Sequence, residues 1–224
     1  MNLKETLISF FSNLIAVILG IVITFAVQGR IDRLSDRREV DSALRLVRTE
    51  LAANREDIGL MKEFLEEEQR SAAYLLENRD TLEKCPADSV SYHSGVLFAA
   101  VSITLSHDAL ELLKMSSLFQ KIGNNDLSMK VIRAYDTCSS LATVANRHIE
   151  ERDARFQSLM IDRFSGGDAQ DGVLRITDLL DTDYGLYTFR QIAAGTGTDL
   201  IADLSEIDTA LEALDAVLNR KKRF

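Results

Sequence analysis

The chain has 224 residues, a formal net charge of −9, one proline and no tryptophan. The acidic balance excludes a body built to coat a nucleic acid. Two cysteines, Cys85 and Cys138, exclude a disulfide framework and suit a reducing compartment. Scarce proline with abundant Leu, Ala, Glu, Asp and Arg predicts an all-α fold.

The first element is the uncharged run Thr6 to Gln28. Lys4 and Glu5 stop before it and Arg30 begins after it. A helix of this length spans about 34 Å, against about 30 Å of bilayer hydrocarbon. A cleaved signal peptide has a shorter apolar core, and Ala26-Val27-Gln28-Gly29-Arg30 is a poor cleavage site. So long an uncharged run is rare in a soluble core helix. Residues 1–28 are therefore expected to be a single-pass transmembrane anchor, with a helical-bundle domain over 29–224. Lys4 is the one basic side chain before the run, whereas Arg30, Arg33, Arg37 and Arg38 follow it. That bias places the body on the cytoplasmic side of the cell's inner membrane.

Ser12, Ala16, Gly20 and Thr24 recur every four residues and form one stripe of small side chains, with Asn13 beside it. Such stripes let helices approach closely in lipid, and a polar neighbour adds a cross-helix hydrogen bond. Self-association through the anchor is expected.

From Gly29 to Leu82 no proline occurs, and a seven-residue repeat appears. Leu44, Leu51, Ile58, Leu65 and Ala72 hold one seam position; Val47, Asn54, Met61, Glu68, Leu75 and Leu82 hold the other. The anchor is expected to continue into a stalk helix over 30–82. Asn54 and Glu68 break the apolar pattern. Either they set register against a partner, or the seam is shallow there and their heads reach water. Glu83 to Ser91, containing Pro86, is the clearest break. Tyr92 to Leu105 is apolar but too short for a second span, so a buried helix is expected. Asp108 and Glu111 form a capping box before a helix over Ala109–Ile122 that stops at Gly123.

Leu127, Val131, Ala134, Cys138, Leu141, Ala145, Ile149, Phe156 and Met160 keep 3-4 spacing and predict a long helix to about Phe164. Ser165 to Gly172 reads as a loop and Thr177 to Asp183 as an acidic turn. The last helix starts near Tyr184, with Gly195-Thr-Gly-Thr198 as a kink or break. The expected bundle thus has long helices at 30–82, about 90–122, 125–164 and 184–221. Short connections make neighbours antiparallel. That brings the basic tail, Arg220, Lys221, Lys222 and Arg223, back beside Arg30, Arg33, Arg37 and Arg38.

Several short elements carry a resemblance. The anchor has a central glycine in Ile15-Ala-Val-Ile-Leu-Gly20-Ile-Val-Ile23. The stalk holds Glu50-Leu51-Ala-Ala-Asn54. Leu113-Lys-Met-Ser-Ser-Leu-Phe-Gln-Lys-Ile122 is followed by Ala134-Tyr135. The chain resembles a bacterial family of single-pass membrane proteins of unknown function, with an N-terminal anchor and a helical body. Where that family has Ser-Gly, this chain has Ser116-Ser117, and Gln28-Gly29-Arg30 replaces an aromatic residue after the membrane. The resemblance implies architecture and brings no activity.

Motifs for chemistry are scarce. His93, His107 and His148 are far apart, with no His-Glu-x-x-His and no Glu-x-x-His pair. Neither Gly166-Gly167 nor Gly195-Thr-Gly-Thr198 fits a phosphate-binding loop. No catalytic residue, cofactor or metal site is assigned. Two functions remain. The first is a non-enzymatic, membrane-anchored scaffold that forms homo-oligomers or binds an unidentified protein partner. The second is a membrane-tethered sensory or ligand-binding bundle.

Overall fold

The structure, a computed structural model, describes residues 3–165, 176–201 and 203–220. The side chains of residues 3–17, 26, 29, 31–33, 162–165 and 220 also lie outside the description. Among the described residues every regular element is helical: α1 (Leu3–Glu77), α2 (Ala87–Leu97), α3 (Asp108–Met115), α4 (Leu118–Lys121), α5 (Asn125–Ser165), α6 (Ile176–Leu180), α7 (Asp183–Ala193) and α8 (Ser205–Arg220). Short 3-10 helices cover Arg79–Lys84 and Thr198–Ile201. The chain divides into two compact units, residues 1–47 with 108–125, and residues 48–107 with 126–224.

α1 is a single helix of 75 residues, so the stretch expected to be an anchor and the first part of the stalk share one element. Among the described residues, no helix is long and apolar enough to cross a membrane. The expected anchor runs from Thr6 to Gln28, but its side chains are described only from Ile18 onward. That remainder is too short to span about 30 Å.

In the first unit Val40, Ala43, Leu44 and Val47 of α1 and Leu110 and Leu113 of α3 are buried. Lys121 Nζ of α4 sits 2.8 Å from Asp36 Oδ1 of α1. The expected helix over 109–122 is split, because α3 ends at Met115 and α4 begins at Leu118. Ser116 and Ser117 fall at the break, and serine side chains compete with helical backbone bonding.

In the second unit the predicted seams form the core. Leu51, Ile58, Met61, Leu65, Ala72 and Leu75 of α1 are buried, as are Leu127, Val131, Ala134, Cys138, Ala145, Ile149 and Phe156 of α5. Side-chain pairs give the helix directions. Glu50 meets Tyr135 and Glu68 meets Arg152, so α1 and α5 run parallel. Arg48 pairs with Asp215 at 3.0 Å and Arg55 with Asp208 at 2.8 Å. One heptad up α1 is one heptad down α8, so these two are antiparallel. The pairs are nearly half exposed and contribute little energy each, but they fix register.

The second expected helix, over about 90–122, departs from expectation. Instead of a buried helix over Tyr92–Leu105, α2 ends at Leu97, and residues 99–107 run as a strap without regular secondary structure. Two carboxamides pair with its backbone at Ile103 and Ser106. Asn146 accepts from Ile103 N at 2.9 Å and donates to Ile103 O at 2.8 Å. Asn54 does the same at Ser106, at 3.1 and 2.7 Å. Each carboxamide presents one acceptor and one donor, as a peptide group does. Val101, Ile103 and Thr104 are β-branched and poor helix formers, so the strap loses little by leaving the helix.

Two smaller corrections follow from local chemistry, and the expected break at Gly195 is present. The stalk helix ends at Glu77 rather than Leu82, passing into the 3-10 helix. The acidic turn contains α6. The last helix is two helices: Gly195 takes φ +81 after α7, and its N–H caps Ile192 O at 2.9 Å. The Ser165–Gly172 loop lies mostly outside the described residues.

Candidate functional site

The first candidate is the described part of the apolar run on α1. Ile18, Leu19, Ile21, Val22, Ile23, Phe25 and Val27 are each at least half exposed, and Phe25 reaches 73%. At 100° per residue these positions cover about two thirds of the helix circumference, and Gly20, Thr24 and Gln28 fill the remaining arc, so the apolar surface is too wide to be turned into a core as one face. Removing seven such side chains from water is worth on the order of 10 kcal/mol. Within the stripe, a Cβ added at Gly20 would meet nothing within 4 Å. Thr24 Oγ1 donates to Gly20 O at 2.8 Å, so its hydroxyl hydrogen is satisfied inside its own helix. The side chains of Ser12, Asn13 and Ala16 lie outside the described residues.

Beyond this band Arg30, Arg37 and Arg38 are exposed. The Arg33 and Arg220 side chains and all of Lys221, Lys222 and Arg223 lie outside the description, as does their expected meeting.

The second candidate is a buried polar cluster. Arg152 and Glu68 are 2% and 1% exposed. Arg152 Nη1 donates to Glu68 Oε1 at 2.7 Å. Its Nη2 donates to Ala99 O at 2.8 Å and to Asp153 Oδ1 at 2.6 Å, and Nε donates to Asp153 Oδ1 at 3.0 Å. The guanidinium also lies 5.8 Å from the centroid of the Phe64 ring. His148 Nε2 is 3.7 Å from Glu68 Oε2 and has no hydrogen-bond partner. Gly197 lies against that imidazole: a Cβ there would stand 2.7 Å from His148 Nε2. Gly195-Thr-Gly-Thr198 thus packs on α5 and, through Thr198 and Gln69, on α1. It is a close-packed turn.

Neither reading of Asn54 and Glu68 holds. Their heads are buried and bond to this chain, Asn54 to the strap and Glu68 to Arg152. Four of the five N–H groups of the guanidinium are engaged, and through them Arg152 ties α1, α5 and the strap together.

The other titratable groups are dispersed. His93 Nδ1 is 3.0 Å from Ser71 Oγ, and its ring stacks 4.1 Å from Tyr74. His107 Nε2 is 2.7 Å from Ser139 Oγ. Among the described residues no group of three or more His, Cys, Asp or Glu could hold a metal ion. Burial, then the 2.6 Å hydrogen bond to Glu50, pushes the Tyr135 hydroxyl pKa well above the tyrosine range. Burial pushes the Cys138 thiol up to about 12, which leaves it unreactive at neutral pH.

The third candidate is an open groove of about 430 Å³ in the second unit. Val90, Ser94 and Phe98 line one wall as an i, i+4, i+8 stripe. Leu82, Glu83, Ile176, Thr177 and Leu179 complete the lining. The Ser94 Oγ is buried and without a hydrogen-bond partner.

Comparison with known proteins finds no matching family model, no matching curated protein and no matching solved structure.

Proposed function

We propose that the chain is a membrane-anchored, non-enzymatic helical scaffold that self-associates through its anchor, as the resemblance to single-pass membrane proteins suggests. One observation carries this reading: the band from Ile18 to Val27 exposes apolar side chains around about two thirds of α1. Lipid is the environment that covers all sides of a single helix at once. Open space at Gly20 supports a second copy as neighbour there.

The test is copy number in bilayers, by single-molecule photobleaching. Gly20→Leu should lower the oligomeric fraction several-fold, Gly20→Ala should lower it less, and Leu19→Ala should leave it nearly unchanged. A monomer at all densities, or indifference to Gly20→Leu, rejects self-association through this face. Failure of the chain to sediment with alkaline-washed membranes rejects the anchor itself.

Arg30, Arg37 and Arg38 support a cytoplasmic body. Gln157 is exposed on α5. In a Cys85→Ser background, with Cys138 buried, Gln157→Cys should resist a membrane-impermeant maleimide in intact cells and react after lysis. Labelling of intact cells would reverse the orientation.

A second reading, a membrane-tethered ligand-binding bundle, is favoured by one observation, the groove with the unpaired Ser94 hydroxyl.

A further inference from the structure

We infer that the groove beside α2 and α6 is a binding site for a neutral, mainly apolar small molecule that carries a hydrogen-bonding group. The inference deepens the ligand-binding reading and does not depend on the anchor. Five observations lead to it. The groove volume, about 430 Å³, lies in the range of about 300–1,000 Å³ that holds small ligands. Leu82, Val90, Phe98, Ile176 and Leu179 make the lining mainly apolar. Phe98 is 39% exposed even though its ring packs 5.0 Å from Phe156, so one aromatic ring presents a surface to the groove.

The polar groups then define the ligand. Ser94 and Thr177 both bring hydroxyls to the lining; buried hydroxyls are nearly always paired, and Ser94 Oγ is not. It sits between Val90 and Phe98 on the stripe of α2, so a group paired with it is flanked by apolar wall. A hydroxyl both donates and accepts, which admits an alcohol, an amide or an N–H. Charge narrows the class further. Glu83 is the sole charged lining residue, and a carboxylate disfavours fatty acids, phosphates and other anions by like-charge repulsion.

The chain has no tryptophan, so Phe98→Trp installs a single reporter on the groove wall. The experiment uses the full chain in nanodiscs of neutral lipid, with N-phenyl-1-naphthylamine as probe. This probe is apolar and has one N–H. Energy transfer from the indole to the probe should saturate at one probe per chain. Adding Val90→Phe, which fills the groove, should abolish the saturable component. Adding Ser94→Ala should weaken it roughly three- to tenfold, and thermal melts of each variant confirm folding. If Val90→Phe does not fold, the Ser94→Ala shift decides alone. Transfer that rises without saturation, as from probe dissolved in lipid, overturns the site. Saturable probe fluorescence on the unmutated chain, above that of empty nanodiscs and indifferent to Val90→Phe and Ser94→Ala, also overturns it while preserving a ligand-binding bundle with its site elsewhere. No saturable binding to any form removes both.

Discussion

Glu68→Ala should destabilise the second unit by about 3–5 kcal/mol, because it strands the Arg152 guanidinium in the core. Arg152 is 2% exposed, so water cannot replace the lost carboxylate. Asp153 and Ala99 O stay within reach, but Asp153 is itself half exposed and already engaged. For a chain of this size the loss corresponds to a fall in Tm of roughly 10 °C. Glu68→Gln keeps one acceptor on Arg152 and should cost less. Glu68→Leu combined with Arg152→Met removes both charges and should recover much of the loss, since buried pairs replaced by apolar residues are often neutral. The recovery should be incomplete, because Ala99 O loses its donor. Thermal melts of the three variants and the parent in one membrane mimic check this. A Glu68→Ala melt within about 2 °C of the parent would show that the guanidinium is not desolvated.

That pairing was half legible in the sequence. Glu68 was visible as a charge on the α1 seam. Arg152 occupies the seam position between Ile149 and Phe156 on α5, and it too was a charge on an apolar stripe. Two opposite charges, each breaking a different seam, are the signal for a buried cross-helix pair. Reading each seam separately hid it. The long helices themselves were legible, because α1 and α5 carry heptads over many turns without a proline. The direction of packing was legible too, since the predicted alternation matches the Arg48–Asp215 and Glu50–Tyr135 contacts.

The break in the second expected helix was not legible, for a definite physical reason. Residues 99–107 avoid helix because Asn54 and Asn146, distant in sequence, supply the hydrogen bonds a helix would have supplied. No local pattern encodes that. The groove was hidden likewise. Val90, Ser94 and Phe98 share a face at helical spacing, but only tertiary packing leaves that face partly uncovered and Ser94 unpaired. The apolar band was the most legible candidate of all, since its lack of charge is a property of composition and needs no partner to be read.

Gly185→Ala should reverse the sign that helix propensity predicts. Gly185 lies in the first turn of α7, and alanine is favoured over glycine in a helix by about 1 kcal/mol. In the fold, however, Gly185 is buried where α7 folds back on α6. A Cβ there would collide with the Leu179 carbonyl and stand 2.7 Å from Thr182 Oγ1. Backbone cannot move aside as a flexible side-chain tip can, so overpacking of about 1–3 kcal/mol is expected. The same shift would break the Thr182 cap, which accepts from Gly185 N at 3.0 Å and is worth about 1 kcal/mol. The sum is a loss of roughly 2–4 kcal/mol, read as a lower Tm. Thr182→Ala, which removes the cap and adds no atoms at Gly185, should lose about 1 kcal/mol. Leu179 also lines the groove, so Gly185→Ala should weaken probe binding there as well, whereas Thr182→Ala should change it less. A higher Tm for Gly185→Ala would mean that α6 and α7 are not packed this closely, and the part of the groove lined by α6 would then need to be placed elsewhere.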